Sequence, residues 1–246
     1  MTTPKRFSHE TNITIRFAVV ALLAVLIVPV LVSGAKVPQG DSPPKGLDIY
    51  LVAFHPMKQM PSHQMEVHHY CRQMNEDFAQ CALFDGNAKD ANLNGIEYII
   101  SEKLFDALPR DEKKYWHPHN YEILSGELAA PGMPSSAEHA LMGGKMNSYG
   151  KTWHVWKTRS MDGPGDQLPL GEPVLAWSFN HDGEIKPGLV ESRDKEMGID
   201  SNALKMDRKD FISGAHSQDG VDALKRAFPG VQPSPGVRDS GATLGQ

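Results

Sequence analysis

The strongest constraint on what this chain can become is the stretch His68–Cys81, HHYCRQMNEDFAQC, which holds both of its cysteines. Residues 64–73 alternate in character. Glu66, His68, Tyr70 and Arg72 take one face, and Val67, His69 and Cys71 the other. Phe78–Asp85 (FAQCALFD) is a second β-rich run, and the polar Met74–Asp77 lies between the two. Two such runs around a short polar loop predict an antiparallel hairpin. A turn centred on Glu76 sets Cys71 opposite Cys81, the arrangement a cross-strand disulfide requires. A slip of one residue removes it. Two small buried thiols are the alternative.

The rest of the chain reads as short elements in mixed order. Leu47–Phe54 is a strand, and His55–His63, with Pro56 and Pro61, reads as a loop. Ile96–Ile100 (IEYII) is a buried strand carrying Glu97. Ser101 caps a helix that runs to Leu108 and stops at Pro109. Arg110–Trp116 is a short helical segment, Tyr121–Leu128 two short strands around Ser125-Gly126, and Ser135–Asn147 a helix. Lys151–Thr158 alternates as a strand, with Trp153, Val155 and Lys157 on one face and His154 and Trp156 on the other. Pro173–Asn180 is a further strand, and Val190–Phe211 a charged helical region broken at Gly198. The class is α+β: a single domain with a mainly antiparallel sheet and a few short helices, over residues 47–228.

The ends read differently. Lys5, Arg6 and Arg16 precede an apolar run, Phe17–Val32, and Ser33-Gly34-Ala35 supplies the small residues of a cleavage site. Residues 1–35 are thus expected to be a signal peptide, and the protein to be exported, periplasmic or secreted. The alternative is an uncleaved membrane anchor, although the run is short of the roughly 20 residues a span needs. Membrane contact is expected only through that segment. Residues 36–46 (KVPQGDSPPKG) form a linker, and residues 229–246 are expected to be a disordered tail. The formal net charge of -5 argues against a nucleic-acid partner.

The histidines carry the chemistry. In Trp116-His117-Pro118-His119-Asn120-Tyr121-Glu122, the spacing His-x-His-x-x-Glu is similar to the first metal-binding motif of cupins. A strand turns both imidazoles to one side, where His117 and His119 can share a divalent transition metal with Glu122 as third ligand. The spacing to Glu122 is shorter than in cupins, Pro118 disturbs the strand, and no second cupin motif follows. His69 completes the candidate metal set. His68 and His69 point to opposite faces, whereas His69 and Cys71 share one. His68, Cys71, Glu97 and His154 are further candidates, and a carboxylate inside IEYII must be paired, exposed or protonated. Asp90-Ala91-Asn92-Leu93-Asn94-Gly95 opens like a calcium loop, but position twelve is Ser101, which cannot serve as the bidentate acid. No nucleophile elbow, Walker loop, dinucleotide fingerprint or His-Glu-x-x-His is present.

The segments HHYCRQMNEDFAQC (68–81), GIEYIISEKLFDALPRDEKKYWHPHNYEILSG (95–126), YGKTWHVW (149–156), LPLGEPVLAWSF (168–179) and ESRDKEMGID (191–200) are collinear with one family. Over Leu47 to about Phe211 the chain resembles the oil body-associated proteins, a domain of unknown function found in plants, fungi and bacteria. The resemblance implies lipid association and no established reaction. The export signal sets this chain apart from the plant pattern and gives it the look of a bacterial-type member. The leading expectation is a non-enzymatic protein that binds or organises lipid or an apolar ligand, with Trp153, Trp156 and Trp177 as the aromatics available for contact. The alternative is a metal-binding protein or metal-dependent enzyme built on the histidine cluster.

Overall fold

The computed structural model describes residues 42–158 and 164–242; the segment read as an export signal lies outside them. The chain forms β1 (Ile49–Met57), β2 (Met60–Asn75), β3 (Phe78–Phe84) and β4 (Leu93–Ile100), then α1 (Glu102–Asp106), α2 (Arg110–Lys113), β5 (His117–Pro118), α3 (Asn120–Ser125) and α4 (Ser135–Gly143). It continues with β6 (Tyr149–His154), β7 (Val174–Leu175), α5 (Leu189–Met197) and α6 (Ser201–Asp207). The architecture is α+β, as the alternating patterns predict, with every strand pair antiparallel. The sheet order is β1-β2-β3-β4-β6-β5, and β7 pairs with β6.

The sheet curls until its edges meet. Beyond β7, Ala176 donates to Thr152 O on β6 (3.0 Å), while Trp177 donates to Pro56 O at the end of β1 (2.8 Å). Lys58 N in turn donates to Leu175 O (2.9 Å). One short segment is therefore hydrogen-bonded to β6 on one side and β1 on the other. This closure turns one face of the sheet inward and ties the end of β1 to β6.

Alternation decides what lies inside. Leu51, Ala53, His55 and Met57 of β1, Val67, His69 and Cys71 of β2, and Leu83 of β3 all face in and are buried. On β4 Glu97 and Ile99 are buried while Ile96 and Tyr98 are exposed, the period of two expected for a strand with one wet face. Cys71 and Cys81 are register partners and are joined by a disulfide. The apolar end of the interior is sealed by Ile123, Leu128 and Met142 from α3 and α4 and the turn between them. A second cluster, Phe54, Tyr121, Leu124, Phe179, Leu189, Val221 and Val237, packs the C-terminal half against the outside of β1.

Three expectations differ from what is observed. Residues 55–63 are not a loop: β1 runs through Pro56 to Met57, and β2 starts at Met60. The missing Pro56 N–H is accommodated by a register shift at Pro56/Met57. Residues 121–128 are not two strands. Asn120–Ser125 is a helical turn that ends at Gly126, whose φ of 81° is left-handed. A side chain at 126 would also overlap Ser201 O, so glycine is required there twice over. Finally, residues 229–242 lie against the domain: Gln232 and Asp182 exchange two 3.0 Å backbone bonds, and Val237 is buried.

Two buried arginines fix the turn after α3. Arg193 donates to Glu127 O (2.8 Å) and Ser201 Oγ (2.7 Å), and Arg208 to Ile123 O (2.6 Å), Leu128 O (3.0 Å) and Glu138. Carbonyls that a short helix cannot satisfy internally thus find partners.

Candidate functional site: a buried carboxylate among histidines

Five histidines and one glutamate meet inside the curled sheet. Glu97, on β4, is 2 % exposed. Its Oε2 lies 2.9 Å from His69 Nε2 and 3.9 Å from His55 Nε2. Its Oε1 lies 3.3 Å from His119 Nε2 and 3.5 Å from His117 Nε2. His154 joins through His55, at 3.1 Å from Nε2 to Nδ1. The ligand atoms form two sets, Glu97-His117-His119 and Glu97-His55-His69. Within each set they lie no more than 4.8 Å apart.

Each member is delivered by local structure. His117 sits opposite Gly150 on the β5–β6 ladder, and Glu97 opposite Thr152 on the β4–β6 ladder. Gly150 is the gap that lets the groups converge. A Cβ there would overlap Glu97 Oε1 and come within 2.6 Å of His117 Nε2 and 2.5 Å of His119 Nε2. His119, at the start of α3, is aimed inward where the short strand gives way to the helix.

Hydrogen bonds fix two tautomers. Ser148 Oγ gives its own proton to Lys145 O (2.6 Å), so it can only accept from His119 Nδ1 (2.9 Å). His119 in its neutral form therefore carries its hydrogen on Nδ1 and points the Nε2 lone pair at Glu97. On the other side, the Asn94 carbonyl can only accept, so it holds the hydrogen on His154 Nδ1 (3.3 Å). His154 Nε2 then accepts from His55 Nδ1, and the Nε2 lone pair of His55 also faces Glu97. Both His117 nitrogens, although fully buried, lack a hydrogen-bond partner among the described residues, as does His69 Nδ1. Orphaned buried polar atoms are costly and mark places where a structure serves something besides stability.

Electrostatics follow from the same packing. Burial depresses the imidazoles: His117 and His154 fall to about 4, and His55 falls well below the usual value. Burial pushes the Glu97 carboxyl up, and positive character on its His117, His119 and His69 side, supplied by protons on their Nε2 atoms or by a cation in their place, outweighs burial and holds it well below the carboxylate range. The interior thus presents one carboxylate to the neutral imidazoles of His55 and His117 and to the ring nitrogens of His69 and His119, a donor set suited to zinc, iron, manganese or copper.

The other sequence candidates are placed elsewhere. Glu122 is buried on α3, near Glu97, and belongs to neither ligand set; Glu97 occupies the position proposed for it. Burial, with Glu97 and Glu127 nearby, pushes its carboxyl well above the usual range. His68 faces outward, bonded to Tyr50 Oη (2.7 Å) and beside Glu66. Cys71 is committed to Cys81. His55 was assigned no role by the sequence, because Pro56 made the segment read as a loop. Its signal was the alternation Leu51, Ala53, His55. Trp177 is wholly buried against His117, its indole bonded to Gly220 O (3.2 Å).

The fold and site together define a curled antiparallel sheet enclosing a histidine–carboxylate centre. Comparison with known proteins supplies the lineage. Residues 41–212 match the family described as protein of unknown function (DUF1264). Oil body-associated protein 2A of Arabidopsis thaliana is 40% identical over 181 residues, covering 73% of this chain and 72% of its own. Its Zea mays namesake is 36% identical over 193 residues (78% and 75%), and Zea mays oil body-associated protein 1A is 35% identical over 189 residues (77% and 76%). No solved structure matches. The chain belongs to the oil body-associated protein family.

Proposed function

We propose that this domain is a metal-binding member of its family, holding a divalent transition ion on Glu97, His117 and His119. The observation that carries the reading is the tautomer of His119. A neutral imidazole whose Nε2 lone pair faces a carboxylate oxygen at 3.3 Å is repelled by it unless a cation lies between them. The spacing suits one. Ligands about 2.0–2.1 Å from a tetrahedral ion stand about 3.3–3.4 Å apart, close to the 3.3 and 3.5 Å separations of Glu97 Oε1 from His119 and His117. Ser148 stands behind His119 as an outer partner of the kind that sets ligand orientation. Two histidines and one carboxylate leave further coordination positions for small molecules.

Elemental analysis of the full chain, purified without a histidine tag or chelator, tests this. At least one equivalent of zinc, iron, manganese or copper is expected. It should be lost from a His117→Gln/His119→Gln variant that keeps its circular dichroism. No metal, even after reconstitution, overturns the reading and makes the centre a hydrogen-bonded network around an imidazolium.

A second reading concerns the outside of the same sheet. Ile96 and Tyr98 on β4 and Val155 beyond β6 are exposed, as are Leu168 and Leu170 in the loop before β7. The names of the plant relatives connect them with oil bodies, and such a face suits contact with a lipid surface. The export reading of residues 1–35 puts that surface outside the cytosol. Flotation with phospholipid-coated oil droplets is the test: co-flotation lost in Ile96→Lys/Leu168→Lys supports it, and co-flotation absent from the parent chain removes it.

A further inference from the structure

Resting on the reading of Glu97 as a metal ligand, we propose that the centre is dinuclear. A second divalent transition ion binds on the Oε2 side of Glu97, held by His55 and His69, and the carboxylate bridges the two ions.

The size of a coordination shell limits what one ion can hold. Ligands of one ion at about 2.1 Å can be no more than about 4.2 Å apart, the distance between trans positions. The six candidate atoms do not collapse into one such group. They fall into two sets of three, each within 4.8 Å and joined to the other only through the Glu97 carboxylate. The carboxylate is turned so that each oxygen serves one set: Oε1 faces His117 and His119, and Oε2 faces His69 at 2.9 Å and His55 at 3.9 Å. A carboxylate bridging two ions about 3.5–4 Å apart is the usual geometry of two-metal sites.

A second observation is independent of spacing. Two separate hydrogen-bond chains deliver a lone pair to Glu97, one to each oxygen. Lys145 O and Ser148 act through His119 on the Oε1 side. Asn94 O acts through His154 on His55 on the Oε2 side. A single ion beside Oε1 uses the first chain and leaves the second aiming an imidazole lone pair at an anion. Two ions use both. In this arrangement His154 is a positioning residue for His55, and its own nitrogens are both engaged.

The probe is Mn²⁺, added to the metal-free full chain and read by bound stoichiometry and electron paramagnetic resonance. About two equivalents and an exchange-coupled spectrum are expected for the parent chain. A His55→Gln/His69→Gln variant should bind one equivalent and give the spectrum of an isolated ion. His154→Gln should weaken the second equivalent by about 10- to 100-fold and leave the first unchanged, as loss of an outer partner does. One uncoupled equivalent in the parent chain overturns the second ion while the first stands. No binding overturns the metal reading itself. The coupling is measured on the parent chain, so a variant that fails to fold does not decide the question.

Discussion

Glu97 and Glu122 are both wholly buried glutamates on neighbouring elements, yet their surroundings drive them to opposite states. Glu97 is ringed by imidazoles and held ionised. Among the described residues Glu122 has no cation beside it and its Oε1 is unpartnered; it stands near two other carboxyls and is driven to the neutral acid. Burial alone treats the two alike. The difference teaches that charge inside this sheet is retained only where nitrogen donors have been gathered around it. That expense is justified at a site, not in a core.

The sharpest way to break the comparison is to make both residues glutamine. Glu97→Gln is expected to lower metal affinity by at least about 100-fold, because it removes a charged oxygen that would touch the ion directly, and so to exceed the roughly 10–100-fold loss from outer partners. Isothermal titration of the metal-free protein reads it. Ser148→Ala should cost about 10- to 100-fold, because His119 loses the partner that fixes its tautomer. Gly150→Ala should destabilise the metal-free protein by about 1–3 kcal/mol in urea unfolding, since its Cβ overlaps the convergent groups.

Smaller effects follow from pH. His117 and His154 sit at about 4 when folded, against 6.5 when unfolded, so the unfolded state binds more protons between those values. The stability they contribute is present above 6.5 and is lost as pH falls through 4. Glu127 has the reverse sign. Burial raises it to about 8, against 4.5 unfolded, so its contribution is lost as pH rises through 8. The metal-free protein should therefore melt highest near pH 6.5, with slopes of about 1.4 kcal/mol per pH unit for each uncompensated proton. Glu127→Gln should flatten the alkaline side. The smallest effect on metal affinity is expected from Glu122→Gln, which replaces an acid already neutral in the fold; its effect on stability should instead grow as pH rises above 4.5, where the unfolded carboxyl ionises and the folded one does not.

Much of this arrangement was legible in the chain. Period-two alternation correctly put His69 with Cys71 and away from His68, and placed His154 opposite Trp153. The hairpin around Glu76 set Cys71 against Cys81, where the disulfide is found. His117 and His119 were identified by their spacing. What was not legible is non-local. No periodicity says that β1 and the segment after β7 share hydrogen bonds, and without that closure His55 has no reason to meet Glu97 and His154. Glu97 was recognised as a carboxylate in need of partners, but its partners arrive from four other segments. Glu122 was preferred because it is near in sequence. It lies on a helix, within the segment Tyr121–Leu128 that reads as two short strands.

Closure also sets an order of events. The residues that gather around Glu97 are spread from His55 to His154, and the stretch that seals the ring ends at Trp177. A ribosome must therefore deliver most of the domain before the pocket can exist, and pairing between such distant partners is slow. An ion cannot template the early steps of this fold. It can only be captured late, by a chain that is already nearly finished. On the proposed metal reading, uptake of the ion would then be a timestamp for completed folding.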